Sequence, residues 1–124
     1  MCDEKKTVVV LGASAKPERY SYQCVELLLE RGHNVIPVTP SKSDICGLKT
    51  VSDLGDITRK IDVLTMYVNA NRSSNMTDDI LSLAPKRVIF NPGAENGELE
   101  TLCSDAGIIT ENACTLVLIY TDQF

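Results

Sequence analysis

Apolar residues in this chain fall into short dense runs, separated by stretches in which they recur every three or four positions. Thr7 to Leu11 (TVVVL) is continuous, β-branched and halted by Gly12, the pattern of a strand buried on both faces of a parallel sheet. From Glu18 to Glu30, Val25, Leu28 and Leu29 stand at i, i+3 and i+4 with Cys24 beside them, which predicts a helix; Arg31 and Gly32 supply its last-turn cation and C-cap. Asn34 to Val38 (NVIPV) predicts a second strand, near an edge because Pro37 has no N–H for a ladder. A polar loop runs from Thr39 to Gly47. Lys49 to Val51 reads as a brief extended piece, and Ser52 as the cap of one turn through Asp53 and Leu54. Ile61 to Val68 predicts a third strand and Asn69 to Leu83 a helix with Met76, Ile80 and Leu83 on one face. Arg87 to Phe90 is a fourth strand, ending at Asn91-Pro92-Gly93. A helix over Glu98–Ala106 is stopped by Gly107, Ile108-Ile109 is a short last strand, and Ala113 to Tyr120 reads equally as strand or helix.

Strands alternating with helices argue for right-handed crossovers, a mainly parallel sheet and helices on both of its faces. The expected architecture is α/β: one Rossmann-like three-layer domain over residues 1–124. The length of 124 residues fits one domain, and 44% apolar with 23% charged residues is enough to build a core, which excludes disorder. The formal net charge of −5 argues against nucleic acid as a partner, which calls for a cationic face, yet leaves room for one small anion. Five cysteines (Cys2, Cys24, Cys46, Cys103 and Cys114) include no CxxC pair, which argues against zinc ribbons, thioredoxin-type motifs and a secreted disulfide framework. With no signal-peptide pattern and no bilayer-length apolar run, the expectation is a cytoplasmic protein with reduced thiols and no membrane partner.

Ligands of open parallel sheets bind beyond the carboxyl ends of the strands. Four segments fall there: Gly12-Ala13-Ser14-Ala15-Lys16-Pro17, Thr39-Pro40-Ser41-Lys42, Val68-Asn69-Ala70-Asn71 and Asn91-Pro92-Gly93-Ala94. Gly12 permits a sharp turn and close approach of backbone to a ligand. Ser14 offers a hydroxyl, Pro17 suits a helix start, and the helix end that follows presents free N–H groups to an anion. Lys16 and Arg19 add charge, Arg19 with bidentate geometry for phosphate. A dinucleotide fingerprint G-x-G-x-x-G is absent, since Ser14 and Pro17 replace its second and third glycines. The second strand ends in Thr-Pro-Ser-Lys rather than the acid that holds an NAD ribose. Lys42 suits a ribose carrying a further phosphate, which leaves NADP or coenzyme A.

Taken together, VLGAS-x-KPERYSY, NVIPVTPSK and KRVIFNPGAENGELE resemble the stand-alone bacterial CoA-binding proteins, whose domain is similar to the N-terminal nucleotide domain of the succinyl-CoA synthetase α subunit. The likeness covers about Thr7 to Leu118. It implies a Rossmann-like domain that binds coenzyme A. By the same resemblance, Gly12, Ala13 and Ser14 hold the pyrophosphate with Arg19 assisting, and Pro40 and Lys42 meet the adenosine and its 3′-phosphate. Val68 and Asn69 line the adenine side, and Asn91, Pro92 and Gly93 border the pantetheine arm. Two segments depart from the family pattern. Val68-Asn69-Ala70 stands where an Arg-Pro or similar pair is common, and Asn112-Ala113-Cys114 where Asp-Arg-Cys is common.

Other chemistry is thin. His33, the one histidine, follows the C-cap glycine and is expected to be a solvated turn residue. Cys114 is the best thiol candidate for a mixed disulfide with coenzyme A, weighed against a small buried hydrophobe. Asp78, Asp79, Glu95, Glu98 and Glu100 have the spacing of solvated helix faces, and Tyr20 and Tyr22 flank the phosphate loop. The expected function is non-enzymatic binding of coenzyme A or an acyl-CoA, with no metal. The alternatives are an NADP-dependent reductase, for which no Tyr-x-x-x-Lys is present, or a subunit or scaffold that has lost its ligand. The apolar stretch Leu116 to Tyr120 is expected to close the core or to form a homodimer face.

Overall fold

A computed structural model describes residues 5–40 and 44–124; Lys42 lies outside the described residues. Five strands, β1 (Thr7–Leu11), β2 (Asn34–Val38), β3 (Val63–Met66), β4 (Arg87–Phe90) and β5 (Ile109–Asn112), form one sheet in the order β2-β1-β3-β4-β5, every pair parallel. The helices are α1 (Tyr20–Glu30), α2 (Ala70–Ser73), α3 (Thr77–Leu83), α4 (Gly97–Asp105) and α5 (Thr115–Tyr120), with 3-10 turns at Leu54–Asp56 and Ser74–Met76. The α/β Rossmann-like class read from the sequence is therefore the class observed. Strand alternation divides the core in two. Val8, Val10, Val63 and Ile89 pack with Cys24, Val25 and Leu28 of α1 and with Leu118 and Ile119 of α5. Val9, Leu11, Leu64, Met66, Val88 and Phe90 pack on the other face with Ile80 of α3 and with Leu99 and Cys103 of α4. Parallel strands covered on both faces must be apolar on both, which is why Val8–Leu11 of β1 reads as an unbroken apolar run and β3 is interrupted only by the buried Thr65.

β2 lies at an edge, as Pro37 implied. The Pro37 carbonyl accepts from the Val51 amide at 2.9 Å on the outer side, so its imide nitrogen also faces outward and no bond to β1 is lost. Val51 in turn forms an isolated parallel bridge with Val38. α1 ends in a Schellman motif: Gly32 (φ +84°) donates to the Leu29 carbonyl and His33 to the Leu28 carbonyl.

Several boundaries differ from the sequence pattern. α1 begins at Tyr20, because Pro17 and Glu18 form a turn closed by the Arg19 amide on the Lys16 carbonyl, and Arg19 is the extended N-cap. The stretch Asn69–Leu83 is two helices joined by the 3-10 turn at Ser74–Met76. Ser73, Ser74 and Asn75 are weak helix formers, and the Asn96 side-chain amide donates to both Ser73 Oγ (2.8 Å) and Ser74 Oγ (3.1 Å), fixing the break. The last strand is Ile109–Asn112 rather than Ile108-Ile109. Ala113 to Tyr120 resolves as helix over Thr115–Tyr120, with Leu118 and Ile119 closing the core and Val117 and Tyr120 exposed. His33 is not a solvated turn residue: it is buried, its Nδ1 accepts the Lys6 amide at 3.1 Å, and its ring meets Phe124 edge-on. The apolar neighbour and the amide partner outweigh its position beside a turn.

Candidate functional site

In this strand order the chain leaves β1 outward to β2 and returns on the other side as β3. The loops after β1 and β3 therefore diverge and open a crevice, the place where such sheets bind ligands. The crevice is a cleft of about 490 Å³ lined by Gly12, Ser14, Lys16, Arg19, Tyr20, Ser21, Tyr67, Arg72 and Pro92. Gly12 is its hinge point. At φ +86° it turns the chain off β1 in a conformation that side chains resist, and an added Cβ would stand 2.8 Å from Val68 Cγ1 and 3.1 Å from the Tyr67 carbonyl carbon. The loop is fastened by the Gly12 and Ala13 amides, which both donate to the Val38 carbonyl (2.9 and 3.1 Å). Those two N–H groups are spent inside the fold. The donors open to an anion are the first amides of α1, since the first backbone bond onto its N-cap runs from Gln23 to Arg19. Ser14 Oγ accepts from the Lys16 amide at 3.1 Å, keeping its hydroxyl proton free to donate.

The charge of the cleft is one-sided. Lys16, Arg19 and Arg72 line it, no carboxylate does, and none of the three makes an ion pair among the described residues. In a chain of net charge −5, such a concentration of positive charge selects an anion. Tyr20, 71% exposed, stands at the lip, whereas Tyr22 packs into the core. Tyr67 is half-buried and walls the cleft, but its hydroxyl is turned inward and fully buried, with no hydrogen-bond partner among the described residues. Burial pushes the Tyr67 phenol up, with the neighbouring Cys24 thiol adding to the effect. Burial also pushes Cys24 up to about 12, which keeps it a protonated thiol at neutral pH.

The predicted site residues divide into lining and support. Gly12, Ser14, Arg19 and Pro92 line the cleft, with Ala13 buried beneath it. Val68 is buried under Gly12. Asn69 is exposed, and its side chain caps α2 by accepting the Arg72 amide at 3.0 Å. Pro40 is exposed at the end of β2, and Gly93 (φ +93°) forms the turn after β4 beside Pro92. The Asn91 side chain is wholly structural: it donates to Thr65 Oγ1 (2.7 Å) and the Met66 carbonyl (2.9 Å), and its Oδ1 accepts the Thr115 amide (2.8 Å). Cys114 is half-buried at the N-cap of α5 and is not among the residues lining the cleft. Sequence reasoning missed Arg72 and Tyr67. Arg72 follows the cap Asn69 by three residues, but a continuous helix from Asn69 hid that spacing.

A family model described as CoA binding domain matches residues 6–120 of the chain. The chain belongs to the CoA-binding domain family. Its relatives include the uncharacterised protein YneT of Bacillus subtilis (strain 168), 24% identical over 102 residues that span 82% of this chain and 76% of that protein. The crystal structure of an uncharacterised protein superposes with a TM-score of 0.94 at 38% identity, covering 98% of this chain and all of that one. A more distant likeness joins the family domain to a larger enzyme. The dinucleotide-forming acetyl-coenzyme A synthetase 1 of Ca. Korarchaeum cryptofilum matches with a TM-score of 0.71 at 23% identity, over 85% of this chain and 25% of that one, a similarity of fold alone. No helix among the described residues is long and apolar enough to cross a membrane.

Proposed function

We propose that this CoA-binding domain holds coenzyme A or an acyl-CoA in the cleft beside Gly12 and performs no reaction on it. The observation that carries this reading is the convergence of Lys16, Arg19 and Arg72, with no carboxylate among the lining residues, on the turn at the switch point of the sheet. A diphosphate there would meet the Ser14 hydroxyl, the free amides at the start of α1 and the Arg19 guanidinium. Gly12 and Ala13 would serve as the floor that lets it approach. The adenosine would lie toward Pro40 and the 3′-phosphate toward Lys42, an assignment that rests on the sequence. The pantetheine arm would leave past Pro92 and Gly93. In this reading Val68 and Asn91 support the site from beneath, and Asn69 supports it by capping α2.

Native mass spectrometry of the purified chain with coenzyme A, NADP and NAD in competition tests this. Coenzyme A is expected to be retained at the expense of both dinucleotides; retention of NADP without coenzyme A would overturn the reading and favour the reductase alternative.

A further inference from the structure

We propose that Arg72 closes the diphosphate site from the side opposite Arg19, so that the anion is gripped between two guanidinium groups, one carried by the β1–α1 connection and one by α2. The assignment rests on the ligand reading above and adds a residue to it. Lys16 and Arg19 come from the β1–α1 connection; Arg72 comes from α2, on the far bank of the crevice that the switch point opens. Its placement is built rather than incidental. Asn69 stops the extended chain after β3 and caps α2 by accepting the Arg72 amide, so the first turn of that helix fixes the Arg72 backbone at the cleft wall. The break after Ser73, held by Asn96, ends α2 there and keeps this turn separate from α3. The guanidinium is exposed, without an ion-pair or hydrogen-bond partner among the described residues, and faces no carboxylate in the cleft. A planar fork with five donors and no internal partner, opposite a second one, matches a diphosphate better than a single phosphate, since each guanidinium can take two oxygens.

Calorimetric titration of coenzyme A, dephospho-coenzyme A and ADP into the wild type, Arg72→Ala, Arg72→Lys and Arg59→Ala tests the assignment. Arg59 lies in a cleft at the opposite end of the sheet and removes the same charge from the molecule. Arg72→Ala is expected to weaken all three ligands by a similar factor of about tenfold, and Arg72→Lys to recover part of that loss because a point charge keeps the attraction without the fork. Arg59→Ala is expected to leave all three unchanged. A loss confined to coenzyme A would move Arg72 to the 3′-phosphate and overturn the proposal. An equal loss in Arg59→Ala, or no loss in Arg72→Ala, would overturn it as well. If ADP binds and responds to Arg72 while coenzyme A does not bind, the ligand reading fails and the role of Arg72 stands. If none of the three binds the wild type, both fall.

Discussion

At the scale of single residues, Gly12 is the point where fold and site are the same thing. Its positive φ turns the loop, and the absence of a side chain lets the Tyr67–Val68 segment lie against it. Gly12→Ala sets a Cβ 2.8 Å from Val68 Cγ1 in a backbone conformation that alanine resists. The variant is expected to lose about 1–3 kcal/mol of stability in urea unfolding. An unchanged midpoint would mean that the loop re-forms at no cost. This glycine was legible in the sequence because it terminates an apolar run. Asn91 was legible only as part of a loop motif, and its actual work, three hydrogen bonds inside the core, has no sequence signature. His33 misled for a related reason. Its position after a C-cap glycine describes its backbone, whereas its burial depends on Lys6 and Phe124, both remote in the chain.

At the scale of elements, the fate of Ala113–Tyr120 turned on a partner the local pattern does not contain. The stretch is apolar throughout, so its period is ambiguous, and tertiary contacts decide. Thr115 Oγ1 meets Thr65 Oγ1 at 2.7 Å and the Thr115 amide donates to Asn91, which nails the first turn of α5 to β3 and β4. Asn91→Ala would leave the Thr115 amide and Thr65 hydroxyl buried with fewer partners. It is expected to cost about 2–4 kcal/mol, since each orphaned buried group costs about 1–3 kcal/mol. Hydrogen exchange should localise the damage, with the α5 amides gaining deuterium fastest; uniform loosening of every element would refute this anchoring role. The same logic explains the split between α2 and α3. The apolar spacing of Met76, Ile80 and Leu83 is helical, but the Asn96 side chain that fixes the break arrives from a different element.

At the scale of the whole molecule, a mainly parallel sheet followed from alternation and handedness, and the edge place of β2 from Pro37; the order of the remaining strands, which locates the cleft, is seen only in the structure. What alternation does not fix is how the opposite end of the sheet is tied. There, Asp62 Oδ2 accepts the Thr7 amide at 2.8 Å and Lys86 Nζ lies 3.4 Å from Oδ1, joining the start of β3 to the start of β1. The Thr7 amide first, then Lys86 and Lys6, hold the Asp62 carboxyl below its ordinary value despite its partial burial. A carboxyl lowered by folding stabilises fully above its unfolded pKa, about 3.9, and that contribution is lost as pH falls through the lower folded value. Urea midpoints measured from pH 7 to pH 3 should therefore fall less steeply for Asp62→Asn than for the wild type. Superimposable acid limbs would remove Asp62 from the account.

The two margins of the sheet bear on how copies of the chain treat one another. A parallel sheet left open at its sides is a template for further strands. Here one margin is occupied by the Val51 bridge and carries a proline whose nitrogen has nothing to donate. The other is a four-residue strand in which Ile109 is exposed and the other three side chains are tied to neighbouring elements, Glu111 to Arg87, Thr110 to Ser104 and Asn112 to Glu100. Neither side offers a long flat row of free amides to a neighbour. The five short strands thus meet the edge problem with short margins, a proline and side-chain ties at the sides of the sheet, a device independent of net charge.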